Sequence, residues 1–225
     1  MYQIAVDGPS GAGKSTVAKM IAEELDCVYV DTGAMYRTIG LYASRNGIDK
    51  TDTEAICRML DGISFEIRYY DGVQHMILNG EDVTGLIRTQ EISMYASAVS
   101  SVPEVREFLI MPQRKFAEEN NVVMDGRDIG TVILPEADVK IFLTSSPEAR
   151  ARRRYIELLS KGQEADYDTI LAQTIERDLN DSTRAVAPLK PAEDAVTLDN
   201  TELDIQQTFD AALEIIKSKV PEVIA

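Results

Sequence analysis

The chain has 225 residues, 44% of them hydrophobic, a length and apolar share that fit one compact domain, or one domain carrying an insertion, with enough chain to bury a core. Its 23 Lys and Arg stand against 38 Asp and Glu, a formal net charge of −15 that makes it a poor binder of nucleic acid, so any phosphate site needs a local cationic cluster opposing the global sign. Cys27, Cys57 and the lone His75 exclude a disulfide framework or a metal-binding cluster, no apolar run approaches the ~20 residues of a membrane span, and no leader pattern opens the chain, so the cytoplasm is the expected compartment.

In chain order, residues 2–7 read as a short buried strand, followed by a glycine-rich stretch and by a helix marked by Val17, Met20, Ile21 and Leu25. Residues 28–30 form the next apolar run. Residues 63–83 behave differently: Ile63, Phe65, Ile67 and Tyr69 alternate, and Asp71-Gly72 and Asn79-Gly80 supply two hairpin turns, which predicts a three-stranded antiparallel meander. Thr89 then caps a helix carrying Ile92, Tyr95 and Val99, and Pro103 opens another carrying Val105, Phe108 and Leu109, which Pro112 is expected to kink or break. Runs at 122–124, 139–143 and 195–198 complete the strands, and Ile205, Phe209, Leu213 and Ile216 form a closing helical stripe. Strands alternating with helices imply a parallel sheet covered on both faces. Both cysteines read as small buried hydrophobes, and His75, in a predicted strand, reads as structural or surface.

Gly8-Pro9-Ser10-Gly11-Ala12-Gly13-Lys14-Ser15 matches G-x-x-x-x-G-K-[ST] and lies between a predicted strand and helix, where its mechanics require. Glycines let the backbone turn its N–H groups inward, the helix directs its positive end at the same point, Lys14 reaches the β- and γ-phosphates, and the Ser15 hydroxyl suits Mg²⁺. Nucleoside triphosphate binding follows. No guanine-reading Asn-Lys-x-Asp occurs, and the D-x-x-G match at Asp82-Val83-Thr84-Gly85 falls within the meander, against a GTPase switch. The length argues against a motor, leaving a small kinase with a small acceptor.

Five arginine-bearing clusters support this: Arg37 after the second strand, Arg106 on the helix opened by Pro103, Arg127 in Asp125-Gly126-Arg127-Asp128, the run Arg150, Arg152, Arg153 and Arg154, and Arg177, Asp181 and Arg184 at helical spacing. Taken singly, each also fits a solvated face, a plain turn or a local ion pair; co-occurrence with the loop gives them weight. A kinase for another small acceptor, a nucleotide-sensing module without transfer and a purely structural acidic protein are the competing readings.

Along nearly its whole length the chain resembles the bacterial cytidylate kinase family, through residues 7–15, 31–37, 85–91, 125–131 and 184–189. The resemblance implies an α/β P-loop NTPase three-layer fold: a five-stranded parallel sheet, the antiparallel insertion at 63–83 on the acceptor side, and a helical lid at about 147–166, within one kinase domain spanning 1–225. It implies ATP bound by residues 8–15 with Thr16. Carried onto matching positions, CMP is bound by Ser97, Arg106 and Asp128 at the base, by Arg37, Arg127 and Arg184 at the phosphate, and by Arg177 and Asp181 at the ribose, with Thr32 and Tyr36 alongside. Lys14, Arg127, Arg150, Arg153 and Arg154 are the expected catalytic groups, Mg²⁺ the expected cofactor at Ser15, with Asp125 reaching it through water. ATP with CMP or dCMP are the expected substrates of a monomer with no nucleic-acid or membrane partner.

Overall fold

The structure is a computed structural model and describes residues 1–221. The chain runs β1 (Gln3–Asp7), α1 (Lys14–Glu24), β2 (Val28–Asp31), α2 (Thr32–Arg45), α3 (Thr53–Met59), β3 (Phe65–Tyr70), β4 (Val73–Leu78), β5 (Glu81–Asp82) and α4 (Gln90–Val99). It continues through α5 (Pro103–Glu119), β6 (Val122–Gly126), a π-helical turn (Ile129–Ile133), β7 (Val139–Thr144), α6 (Pro147–Ser160), α7 (Tyr167–Thr183), β8 (Val196–Asp199) and α8 (Ile205–Lys219). Five strands form one sheet in the order β2-β6-β1-β7-β8, with β1 parallel to both β6 and β7 and β7 parallel to β8. The remaining three form the expected antiparallel meander, β3-β4-β5.

Two compact units divide the chain: residues 1–29 with everything from residue 120 on, and residues 30–119. In the first, Ile4 and Val6 of β1, Ile141 and Leu143 of β7, Ile21 of α1 and Phe209 and Ile216 of α8 share one apolar core. Strands buried this fully read as continuous apolar runs because helices cover them, and each large side chain so buried contributes about 1.5–3 kcal/mol. The stripe on α8 closes this core as its spacing predicts.

In the second unit the two turns of the meander have both central residues at positive φ, Asp71 and Gly72 at 51° and 74°, Asn79 and Gly80 at 49° and 87°. That is the type I′ pattern whose twist matches paired strands, which explains why an Asp-Gly and an Asn-Gly sit there. Thr89 caps α4 through a bond from the Ile92 N–H, as expected. α2 and α4 pack closely at Gly40, where a Cβ would come within 2.9 Å of the Ala96 nitrogen.

Two expectations need correction. Pro112 does not break its helix, since α5 runs uninterrupted from Pro103 to Glu119. Proline at 112 removes only the N–H that would meet the Phe108 carbonyl, and the helix continues on either side of that one lost bond. Neither cysteine is fully buried; both are half-buried free thiols, Cys27 packed at the margin of the first core. His75 lies in β4 with Nδ1 2.7 Å from Asp82 and its ring edge-on to Tyr70, a local surface arrangement.

Candidate active site

The glycine-rich loop leaves β1 so close to β7 that a Cβ on Gly8, at φ 147°, would lie 1.9 Å from the Leu143 carbonyl oxygen, and Gly13 caps α1 at φ 89°. Side chains no larger than hydrogen are therefore required at these two positions. Three carbonyls of the loop are held by side chains: Pro9 by Lys14 Nζ at 2.7 Å, Ser10 by Arg150 Nη1 at 3.0 Å, and Ala12 by Asn200 Nδ2 at 2.9 Å. A loop whose carbonyls are tied to surrounding side chains is set to offer its N–H groups to phosphate oxygens at the start of α1.

Lys14 is buried, and its ammonium is pushed down to about 7, by burial first and by the Arg127 charge second, against the pull of Asp125, Asp7 and Asp181. A cation held this dry is stabilised by an arriving polyanion. Ser15 Oγ donates to Asp125 Oδ2 at 2.8 Å, and Tyr29 donates to the other carboxylate oxygen at 2.7 Å. A hydroxyl and a buried carboxylate in contact at the end of the phosphate loop are a hard-oxygen pair of the kind Mg²⁺ takes alongside phosphates and water.

Beyond β6 the first unit gathers a second charged group. Arg127 Nε donates to Asp181 at 2.9 Å, and Arg184 Nη2 lies 3.6 Å from Asp128. Burial raises the Asp181 carboxyl, but Arg127, Arg177 and Arg184 outweigh it and hold the group below its ordinary value. Asp7, closing β1, is buried and accepts from the N–H groups of Ile129 and Gly130 at 2.8 and 2.7 Å.

The arginine run on α6 divides. Arg150 is 3% exposed and turns inward, donating to Ser10, to Ser145 and as a bidentate pair to Asp178 of α7. Arg153 is half-buried against Asn200 and Ser145, while Arg152 is exposed and Arg154 is exposed beside Glu157. Arg150 and Arg154, four apart, therefore do not share one environment.

In the second unit Asp31 caps α2 through the Ala34 N–H and also accepts from Arg37 at 2.7 Å and Arg88 at 3.2 Å, while Gln74 of β4 brackets its backbone. Thr32 is buried at the start of α2. Arg106 is buried, donates to the Ser100 carbonyl and stands 5.5 Å over the ring of Tyr36; Ser97 is half-buried on α4.

Several residues of these networks escaped the sequence: Asp7, Asp31, Gln74, Asp178 and Asn200. Asp7 and Asn200 carried a usable signal, a polar residue at the carboxyl end of an apolar run, which is where ligand groups gather in parallel α/β sheets.

A strand, a phosphate cradle and a helix at the carboxyl edge of a five-stranded parallel sheet, with buried lysine and arginines around it, define an α/β kinase of the P-loop class. The profile of the family described as cytidylate kinase matches residues 4–218. The chain belongs to the cytidylate kinase family. It is similar to "Cytidylate kinase" of Caldicellulosiruptor saccharolyticus, 49% identical over 212 residues and 94% of each chain. The protein of that name from Carboxydothermus hydrogenoformans is 48% identical, covering 96% of this chain and 98% of its own, and that of Bacillus subtilis is 46% identical, covering 96% of each. An uncharacterized protein from Eubacterium ventriosum shares the fold at TM-score 0.50 and 14% identity, over 97% of this chain and 99% of its own.

Proposed function

We propose that this enzyme transfers the γ-phosphate of ATP to CMP, and to dCMP as a second acceptor, giving ADP and the cytidine diphosphate. The observation that carries the reading is the array in the first unit: the buried Lys14 and Ser15–Asp125 pair of the phosphate loop, with Arg127–Asp181 and Arg184–Asp128 among the same charges. The loop, residues 8–16, binds ATP. For the acceptor, the first unit supplies Asp128 toward the exocyclic amine of cytosine, Arg127 and Arg184 toward the phosphate, and Arg177 and Asp181 toward the ribose. The family resemblance further assigns Ser97 and Arg106 to the base and Arg37 to the phosphate, with Thr32 and Tyr36 alongside.

A monophosphate oxygen is a nucleophile at neutral pH, so no general base is needed; the residues align two anions and neutralise the charge that spreads over the transferring group. Ser15 and Asp125 fit Mg²⁺, which when bound neutralises phosphate oxygens. Residues 147–166 act as the lid, with Arg153 and the exposed Arg154 as its phosphate-facing charges, excluding water from the transfer. A cytoplasmic monomer completes the proposal.

A coupled assay of ADP release with CMP, dCMP, UMP, AMP and GMP tests this. CMP and dCMP should drive release, strictly dependent on the monophosphate, and Lys14→Met should abolish it while the circular dichroism spectrum is retained. Release independent of any monophosphate, or driven best by a purine, would overturn the reading.

A further inference from the structure

Asn200 follows the last residue of β8 and is only 3% exposed, although its side chain is a polar amide. An amide buried this far is expected to spend its donors and its acceptor on partners. Asn200 spends them in two directions. Its Nδ2 donates to the Ala12 carbonyl of the phosphate loop at 2.9 Å, and its Oδ1 accepts from Nη1 of Arg153 on α6 at 3.2 Å. The two ends are not interchangeable, because a carbonyl only accepts and a guanidinium only donates.

We propose that Asn200 is a positioning residue for the donor nucleotide: one side chain ties the phosphate loop to α6 and thereby holds the loop in the shape that receives the ATP phosphates. The role given to Asn200 rests on the reading of residues 8–16 as the loop that binds ATP.

Several features carry it. The amide is anchored by its own backbone, since the Asn200 N–H donates to the Thr144 carbonyl of β7 at 2.9 Å. Its carbonyl accepts from Arg153 Nη2 at 2.6 Å and from the Leu203 N–H at 3.2 Å. Nδ2 lies against the turn of the loop into α1, where a Cβ on Gly13 would stand 3.8 Å from it. A trans peptide is planar with its C=O and N–H opposed, so the bond to the Ala12 carbonyl also sets where the Gly13 N–H points. Arg153 in turn orients the amide. Among the described residues its partners are Ser145, Asn200 and Leu203, so its charge is held by neutral oxygens and not cancelled by a carboxylate.

Two variants separate this tie from packing. Asn200→Asp still accepts from Arg153 but has no N–H for Ala12, whereas Asn200→Leu keeps the shape and bonds to neither. ADP is titrated calorimetrically without acceptor, and thermal unfolding is followed alongside, so the reading does not depend on turnover. Both variants should weaken ADP binding about 10-fold, while Asn200→Leu should unfold at the lower temperature because it alone takes a side-chain acceptor from Arg153. In the coupled assay both should raise the KM for ATP and leave the KM for CMP within about 2-fold. Asn200→Ser, whose hydroxyl is too short to span the gap, replaces either variant that fails to fold and should weaken ADP binding in the same way. A loss confined to Asn200→Asp would be repulsion by the added charge and would overturn the proposal. ADP affinity that merely follows the unfolding temperature, or that is unchanged in a folded variant, would leave Asn200 a packing residue only. If the wild type shows no CMP-dependent ADP release, the acceptor reading fails while the titration still decides the role of Asn200; a wild type that does not bind ADP sinks both.

Discussion

Lys14 and Asp7 lie within one strand-loop-helix unit, and each is charged in a place that disfavours its charge. Burial lowers the ammonium to about 7 and raises the carboxyl to about 6. Such groups are held by the rest of the fold at some cost to stability, which is common where a site is arranged for its ligand in advance. The sign of the pH effect at Asp7 follows from its shift. The native carboxyl binds its proton more tightly than the ordinary value of 3.8, so between about pH 4 and pH 6 the native state holds more of that proton than the unfolded chain. The Asp7 contribution therefore falls as pH rises through that window and is level above it. Burial sets it first and pushes it up, the two N–H donors of the turn pull it down, Asp128 pushes it up and Lys14 pulls it down. Denaturant unfolding of the wild type against Asp7→Asn should show the two stabilities diverging by about 3 kcal/mol between pH 4 and pH 7, with the wild type losing ground as pH rises. Parallel curves would remove the burial account.

On the scale of elements, the arginines of α6 separate into two kinds by direction. Arg150 spans from Ser10 of the phosphate loop to Asp178 of α7, whereas Arg154 stays at the surface with Glu157. Arg150→Ala should therefore lower stability, on the order of 1–3 kcal/mol for removing a buried guanidinium that holds Ser10 and the half-buried Asp178, and should raise the KM for ATP by loosening the loop. Arg154→Ala should leave the melting temperature unchanged and act on kcat if it serves the lid. Thermal unfolding beside steady-state kinetics separates the two, and equal melting temperatures would refute the strut role of Arg150. The sequence carried the elements well because their signals are local: Asp-Gly and Asn-Gly encode the two I′ turns, Thr89 its cap, and the glycine-lysine loop its strand-helix frame. What it did not carry depends on partners far along the chain. Asp7 meets N–H groups more than a hundred residues away, and Arg150 turns inward because Asp178 waits on another helix. Pro112 does not end α5, because the proline rule concerns one backbone bond and the helix extends on both sides of it.

Taken as a whole molecule, the chain sets a cationic site against a strongly acidic remainder, with a net charge of −15. These two charge distributions respond oppositely to ionic strength. Self-repulsion of the acidic surface destabilises the folded state, and added salt relieves it, because the Debye length contracts from about 20 Å near 0.02 M to about 6 Å near 0.3 M. Attraction of anionic nucleotides to Lys14 and the arginines weakens in the same salt, while the acidic surface, which repels them at long range, is screened as well. Buried contacts are screened least, so the local attraction at the site falls less than the surface repulsion. Raising sodium chloride from 20 to 300 mM should accordingly raise the melting temperature by a few degrees, on the order of 1 kcal/mol for a chain this size, and change the KM for ATP and CMP by less than about 3-fold. Calorimetry and initial rates across the same salt series read both quantities. A melting temperature that falls with salt would mean that surface ion pairs such as Arg45–Glu81 and Arg68–Glu66 outweigh the net repulsion, and would reverse this account of the charge.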